Sequence, residues 1–197
     1  MKNIVILISG GGSNMAAIVK TAKSQDWATS LNARVAAVIS NRADAAGLLW
    51  AKKQGIDTAS INHKAFDSRE AFDQALMQQI DTHAPSLVVL AGFMRILTPG
   101  FVTHYAGRLI NIHPSLLPAF TGLHTHQRAI DAGCQFAGAT VHRVTTELDV
   151  GPILAQAAVP ILPSDTADTL AARVLSQEHV MYSQVIAKLL ETDCSGN

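Results

Sequence analysis

The sequence predicts an α/β protein with a mostly parallel, twisted sheet of about seven strands and helices on both faces. Short apolar runs, such as residues 3–8 and 86–91, alternate along the chain with longer amphipathic segments. This is the pattern of strands that are buried on both faces and joined by helical crossovers. The length of 197 residues matches one domain. We expect a single Rossmann-like domain over residues 1–190 and a frayed end over residues 191–197.

Composition narrows the class of protein. Lys plus Arg equals Asp plus Glu, and the basic residues are scattered, so a nucleic-acid surface is not expected. Cys134 and Cys194 lie far apart without C-x-x-C spacing, which argues against a disulfide framework or a zinc ribbon and fits a reducing compartment. The apolar run after Lys2 stops at Ser9, too early for an export or membrane segment. We expect a cytoplasmic protein that does not bind membranes.

The first predicted strand, residues 3–8, leads into the turn Ser9-Gly-Gly-Gly-Ser-Asn14, after which a helix begins. Glycines let a ligand approach the backbone closely, and the free N–H groups of a helix start attract an anion such as phosphate. Ser13 and Asn14 would add side-chain donors or cap the helix. A plain capped turn is the alternative, although three glycines exceed what a turn needs.

A dinucleotide site has to be weighed at the second strand, predicted over residues 34–39, and the helix over residues 45–54. The G-x-G-x-x-G fingerprint starting at Gly10 would need glycine where Met15 stands. No acidic residue ends the second strand to hold a ribose, but Arg42 could meet a 2′-phosphate. An NADP enzyme therefore stays open as an alternative.

A third strand is predicted over residues 57–61, followed by a helix from the N-cap Asp67 to about Thr82. Arg69 lies in the first turn of that helix. The helix dipole disfavours a cation there, which suggests a ligand role, although a solvated arginine is the commoner case.

A fourth strand over residues 86–91 ends in an apolar tip at residues 92–97 and a turn at Pro99-Gly100. The tip could line a pocket for a flat ligand or simply belong to the core.

The stretch from residue 107 to residue 118 is the most informative. It predicts a fifth strand that ends at Pro114, which has no N–H to donate. Side chains alternate across a strand, so Asn111 and His113 should share one side with Ile112 opposite. Ligands bind at the carboxyl ends of parallel strands, and we expect strands one, four and five to converge on one cleft. A capping asparagine and a surface histidine are the alternative.

The last third of the chain predicts a helix to about Ala132, strands over residues 138–144 and 153–159, and an amphipathic helix from Asp165 to about Leu190. Asp149 lies among turn-forming residues between the two strands, where an Asx turn is the simple explanation.

Four histidines in this half of the chain raise a metal hypothesis: His113, His124, His126 and His142. No carboxylate or cysteine completes a recognisable set of ligands. We expect no metal.

Five motifs follow one another along nearly the whole chain: Ser9-Gly-Gly-Gly-Ser-Asn14, Ala91-Gly-Phe-Met-Arg-Ile-Leu97, Asn111-Ile-His-Pro-Ser-Leu-Leu-Pro118, Gly122-Leu-His-Thr-His126 and Glu147-Leu-Asp-Val-Gly-Pro152. Together they resemble the folate-dependent phosphoribosylglycinamide formyltransferases of the formyltransferase family. Asn-x-His-Pro with the downstream aspartate is shared by the wider family, and the glycine turn separates this member from its relatives. Methionyl-tRNA formyltransferase and formyltetrahydrofolate deformylase resemble the chain at this core but carry an extra domain that is not expected here.

The resemblance implies transfer of the formyl group of 10-formyltetrahydrofolate to the amine of 5′-phosphoribosylglycinamide, a step of purine biosynthesis. These small molecules would be the only partners, and the protein a monomer or homodimer. The implied catalytic residues are Asn111, His113 and Asp149, the phosphate ligands are Gly12, Ser13 and Asn14, and Glu178 would meet the glycinamide end. The implied folate site comprises Arg69, Met94, Arg95, Ile96, Leu97, Asn111, Thr145, Thr146, Glu147, Leu148 and Asp149.

Direct attack of the amine would create a tetrahedral species with a negative oxygen. Asn111 can donate to that oxygen, His113 can protonate the departing nitrogen, and Asp149 can orient and charge the imidazole. Two departures from the family pattern stand out: Val150 replaces a common glycine, and Ala119-Phe-Thr121 stands where Lys-Tyr-Pro is usual. Hydrolysis of formyltetrahydrofolate and a regulatory nucleotide-binding module are the competing functions.

Overall fold

Seven strands form one sheet in the computed structural model, which describes residues 1–192. In chain order the strands are Lys2–Ile8 (β1), Ala33–Ser40 (β2), Asp57–Ser60 (β3), Pro85–Leu90 (β4), Leu109–His113 (β5), Phe136–Arg143 (β6) and Ile153–Pro160 (β7). Their order across the sheet is β3-β2-β1-β4-β5-β6-β7. Strands β1 to β5 pair in parallel, whereas β6 runs antiparallel to both of its neighbours. The predicted fold class and strand number are confirmed.

Seven α-helices and a 3-10 turn at His63–Ala65 connect these strands within the described residues. The helices are Ser13–Ser24 (α1), Trp27–Ser30 (α2), Ala46–Lys53 (α3), Arg69–Asp81 (α4), Pro99–His104 (α5), Thr125–Asp131 (α6) and Ala167–Thr192 (α7).

Three predicted boundaries are wrong. Ser68, not Asp67, caps α4, because its hydroxyl accepts from the N–H of Ala71 at 3.1 Å. The expected turn at Pro99-Gly100 begins α5, whose cap is Thr98 and whose first residue is proline, a favoured N1 residue. Helix α7 includes residues 191–192, which were assigned to a frayed end, and residues 193–197 lie outside the described part of the chain.

Two apolar cores lie on opposite faces of the sheet because strand side chains alternate. Residues such as Ile6 of β1 and Ile110 of β5 pack with α1 and α7 on one face. Leu7 of β1 and Leu109 of β5 pack with α4 and α5 on the other. This confirms helices on both faces and places Asn111 and His113 on the opposite side of β5 from Ile110 and Ile112. Within residues 1–192, none of the helices combines the length and the hydropathy needed to cross a bilayer.

Tyr182 of α7 bridges two of the parallel strands, β4 and β5, near their carboxyl ends. Its fully buried hydroxyl lies 3.0 Å from the carbonyl oxygen of Leu90 and 3.2 Å from that of Ile110. The chain also reverses its direction across the sheet between β1 and β4. Such a switch point opens a crevice for ligands, and Tyr182 fixes one wall of it.

We expect Tyr182→Phe to reduce the free energy of unfolding by about 1–3 kcal/mol, because two buried carbonyl oxygens lose a donor. Urea denaturation followed by circular dichroism measures this loss. Tyr105→Phe is the matched comparison, since the Tyr105 hydroxyl donates to Asp81 at 2.9 Å, whose side chain is 42% exposed. Water can replace that partner, so Tyr105→Phe should lose less unfolding free energy than Tyr182→Phe. Equal losses in the two variants would contradict the role given to the Tyr182 hydroxyl.

Candidate active site

A cavity of about 360 Å³ opens at the carboxyl ends of β1, β2 and β4. It is lined by residues 9–14, Asn41, Arg42, Ala91, Gly92 and Met94. The predicted phosphate turn and Met94 of the predicted folate segment therefore share one cavity. The expected convergence of strands one, four and five is met only in part, because β2 contributes to this cavity and neither Asn111 nor His113 of β5 lines it.

The glycine turn begins α1 without a side-chain cap. Gly12 is the N-cap residue in the left-handed region, with φ 70°, and the expectation that Ser13 or Asn14 caps the helix is wrong. Instead, the buried Asn14 donates from Nδ2 to Oε2 of Glu178 at 2.7 Å. Burial raises the pKa of the Glu178 carboxyl, while the Asn14 bond and the charge of nearby His113 act in the opposite direction. The hydrogen bond links the turn to α7.

His113 and Asp149 lie together at the end of β5. Nδ1 of His113 is 3.4 Å from Oδ2 of Asp149, and both side chains are less than a tenth exposed. On the other side of the ring, Nε2 is 3.0 Å from the carbonyl oxygen of Phe120. A carbonyl only accepts, so Nε2 carries a proton. Both ring nitrogens therefore face oxygen atoms, Nε2 within hydrogen-bond distance and Nδ1 at a longer distance.

Asp149 is held by a part of the chain far from its own loop. Its backbone is left-handed, with φ 58°, and its Oδ2 accepts from the N–H of Gly122 at 3.0 Å. The simple explanation of a local Asx turn is therefore wrong. The bond to Gly122 joins the loop after β6 to the turn that also supplies the Phe120 carbonyl. The two partners of His113 are thus held in one cluster.

His142 is a site residue that the sequence did not assign. It pairs with Asn111 across β5 and β6, and its Nε2 lies 3.2 Å from Nδ2 of Asn111 and 3.8 Å from Oδ1 of Asp149. Nδ1 donates to the carbonyl oxygen of Arg143 at 3.0 Å, which leaves Nε2 free to accept from the amide. Burial lowers the pKa of His142, against the raising effects of that carbonyl and of Asp149, so the neutral ring is favoured.

The predicted folate residues form an exposed apolar rim. The side chains of Met94, Ile96 and Leu148 are 67%, 61% and 58% exposed. The N–H of Met94 donates to Ser9 Oγ at 2.7 Å, which joins this rim to the first strand. Leu97 differs, because it packs against the core on the α4 face.

The remaining predicted folate residues have varied surroundings. Thr145 Oγ1 donates to the carbonyl oxygen of Glu147 at 3.1 Å, and Thr146 and Glu147 are exposed. Arg95 is half-buried, and its Nε has no partner among the described residues. Arg69 is exposed at the start of α4, and within the described chain no hydrogen bond or ion pair joins it to Asn111, His113 or Asp149. Its folate role stays a prediction.

The metal hypothesis finds no cluster in the described chain. Over residues 1–192, no group of three or more His, Cys, Asp or Glu side chains is arranged to hold an ion. His126 is half-buried, and its pKa is lowered by burial and by the charge of His113.

Comparison with known proteins decides the family. The model of the family described as formyl transferase matches residues 2–186. The chain belongs to the formyl transferase family. It is 54% identical to phosphoribosylglycinamide formyltransferase of Escherichia coli (strain K12) over 185 residues, which cover 94% of this chain and 85% of that protein. The Haemophilus influenzae protein of the same name is 46% identical over 186 residues, covering 94% and 86% of the two chains.

A solved structure extends the similarity to the fold of this formyl transferase. The crystal structure of phosphoribosylglycinamide formyltransferase from Brucella melitensis is 51% identical and superposes with a TM-score of 0.89, covering 96% of this chain and 95% of that one. The predicted family resemblance is confirmed. The family is one of transferases, in agreement with the predicted class of enzyme.

In this formyl transferase we expect His142→Phe to lower kcat about tenfold and to leave both KM values nearly unchanged. Phenylalanine fills the same space but cannot accept from Asn111, so the amide loses the partner that orients it. Steady-state kinetics with each substrate varied in turn measures the effect. An unchanged kcat would show that Asn111 keeps its position without His142.

Proposed function

We propose that the protein transfers the formyl group of 10-formyltetrahydrofolate to the amine of 5′-phosphoribosylglycinamide. One observation carries the proposal: Asn14 of the anion-attracting glycine turn is hydrogen-bonded to Glu178, and the His113–Asp149 pair lies at the end of β5, two strands along the sheet from β1, which leads into the turn. A ribonucleotide phosphate held at the turn could reach toward the reacting groups with its amine. The names of the similar proteins agree with this substrate.

The acid nitrogen of His113 would be Nδ1. Nε2 donates to the Phe120 carbonyl at 3.0 Å, while Nδ1 is 3.4 Å from Asp149, which is too long for a strong hydrogen bond. Nδ1 is therefore the nitrogen whose proton is held less tightly and can be given to a substrate atom that approaches beside Asp149. The Phe120 carbonyl acts as the second partner that fixes the orientation of the ring.

The reaction then balances with the two substrates, side chains of this chain and solvent water. The neutral amine attacks the formyl carbon, and the carbonyl oxygen becomes negative and accepts a hydrogen bond from Asn111 Nδ2. The C–N10 bond of the folate breaks as His113 Nδ1 protonates the nitrogen, and the amine proton passes to water or back to the His113–Asp149 pair. No covalent intermediate and no metal are needed.

The exposed rim supports a folate-binding site. Large apolar side chains that stand uncovered beside a cleft indicate a ligand-binding surface; Met94 lines the cavity, and Ile96 and Leu148 are likewise exposed. Val150, 55% exposed next to Asp149, extends the rim where the family often has glycine.

We expect the protein to act in the cytoplasm as a monomer or homodimer.

The test is an assay of tetrahydrofolate formation with and without added phosphoribosylglycinamide. Transfer predicts that release requires the ribonucleotide and that the formyl label appears in its glycinamide product. Release of free formate without the ribonucleotide would instead support hydrolysis, in which water replaces the amine. Absence of both activities in the folded protein would contradict the proposal.

A further inference from the structure

One cationic side chain lines the cavity at the glycine turn. Among the described residues that line the cavity, Arg42 is the one that carries a formal charge. A phosphate monoester carries nearly two negative charges at neutral pH, whereas the backbone N–H groups of the turn offer only partial charges. A cation beside the turn would neutralise the remaining negative charge of such a phosphate.

Two hydrogen bonds hold the segment that carries Arg42 against the turn. Ser9 Oγ donates to Asn41 Oδ1 at 2.6 Å, and the N–H of Gly47 donates to the carbonyl oxygen of Gly10 at 3.1 Å. The approach is close, because a Cβ on Gly47 would lie 3.1 Å from that same oxygen. Residues 41–47 and the glycine turn therefore form one wall.

The turn itself provides a second observation, a buried acceptor without a protein partner among the described residues. Asn14 is only 8% exposed, and its Oδ1 has no hydrogen-bond partner among the described residues. Buried polar atoms are rarely left without a partner. An acceptor beside an anion site suits a molecule that brings a hydroxyl donor together with its phosphate, as a ribose phosphate does.

Arg42 is presently paired with its neighbour Asp44. Its guanidinium donates to both carboxylate oxygens, at 3.0 Å from Nε and 2.7 Å from the terminal nitrogen. The two side chains are 57% and 70% exposed, so the pair is screened by water and weakly held. We propose that Arg42 exchanges Asp44 for the phosphate of the ribonucleotide and is a specificity residue of this site.

The inference rests on the proposed function, and its physical basis is the planar guanidinium. The fork of N–H groups that matches a carboxylate also matches two phosphate oxygens, and the doubly charged phosphate is the stronger partner. Asp44 then serves as a temporary counter-charge that holds the arginine at the mouth of the cavity while the site is empty.

The first experiment compares Arg42→Gln with Arg34→Gln. Arg34 lies at the opposite end of β2, where it is exposed and donates to Asn3, so its loss changes net charge equally but far from the cavity. We expect Arg42→Gln to raise KM for the ribonucleotide about 5- to 10-fold with kcat and the folate KM unchanged. Arg34→Gln should stay within about twofold. Equal effects of the two variants would overturn the proposal.

The second experiment uses Asp44→Asn, which should release Arg42 and lower KM about two- to threefold. A rise in KM would overturn the exchange. Binding of ribose 5-phosphate, measured by calorimetry, gives a readout that does not need activity. If the protein transfers no formyl group but Arg42→Gln still weakens binding of ribose 5-phosphate, the proposed reaction is wrong and the contact between Arg42 and the phosphate is supported. If the wild-type protein transfers formyl groups and Arg42→Gln binds ribose 5-phosphate as tightly as the wild type, only the proposed contact between Arg42 and the phosphate is wrong.

Discussion

The His113→Asn variant is expected to lose formyl transfer by about 10²- to 10⁴-fold in kcat, the contribution of a positioned general acid. Asparagine keeps a polar group near the position of Nδ1, which lies 3.4 Å from Asp149, but it is too short to reach the Phe120 carbonyl that Nε2 faces. It has no proton to give to a departing nitrogen, so binding should survive while chemistry fails. The measurement is kcat with both substrates saturating, together with the affinity of each substrate.

The chain contains a matched control for this variant. His104 also faces a carboxylate, with its Nε2 2.9 Å from Asp81, but that pair is 42% exposed and lies away from the cavity. His104→Asn should keep kcat within about twofold, since exposed pairs contribute little. Retention of most of the turnover in a folded His113→Asn protein would refute the role of His113 as the acid.

Asp149→Asn should lower kcat by about 10²- to 10³-fold, because the charge that supports the imidazolium is removed while the shape is kept. The amide oxygen of asparagine can still accept from Gly122, so the loop has reason to keep its place. Binding of the ribonucleotide phosphate at the glycine turn should be unaffected, because Asp149 does not line that cavity. Kinetics, calorimetry with ribose 5-phosphate and thermal unfolding separate these effects.

Asp81→Asn provides the corresponding control. It neutralises a carboxylate that faces a histidine and a tyrosine hydroxyl, but outside the cleft. A loss of stability without a loss of kcat is expected. If Asp149→Asn behaved in the same way, the carboxylate would be a structural partner and not a part of the reaction.

Much of the fold was predictable because parallel strands buried on both faces leave continuous apolar runs. The runs that became β1 and β4 were found in this way, with small boundary shifts. Helix α5 was not, because Pro99-Gly100 looks like a turn. The signal was nevertheless present: Thr98 before proline is a capping residue followed by a favoured first helical residue.

The site was predictable only where its residues belong to one strand end. Asn111 and His113 follow from alternation along β5, but His142 does not, because its contact depends on β6 running antiparallel to β5. The contact between Asp149 and Gly122 spans 27 residues and leaves no local pattern. Ser68 and Asp67 are adjacent cap-forming residues, so the sequence could not choose between them.

Because β5 and β6 pair in antiparallel fashion, two parts of the site differ in how well they tolerate sequence changes in the connection between these strands. The ladder sets Asn111 opposite His142, so the 22 residues between the two strands can drift in composition without altering that distance. Asp149 has no such anchor and relies on one amide of that same connection. Sequence changes in this connection should therefore leave the Asn111–His142 contact in place but shift the Asp149 carboxylate. Gly122 and its neighbours are thus the positions where substitutions can adjust the catalytic rate.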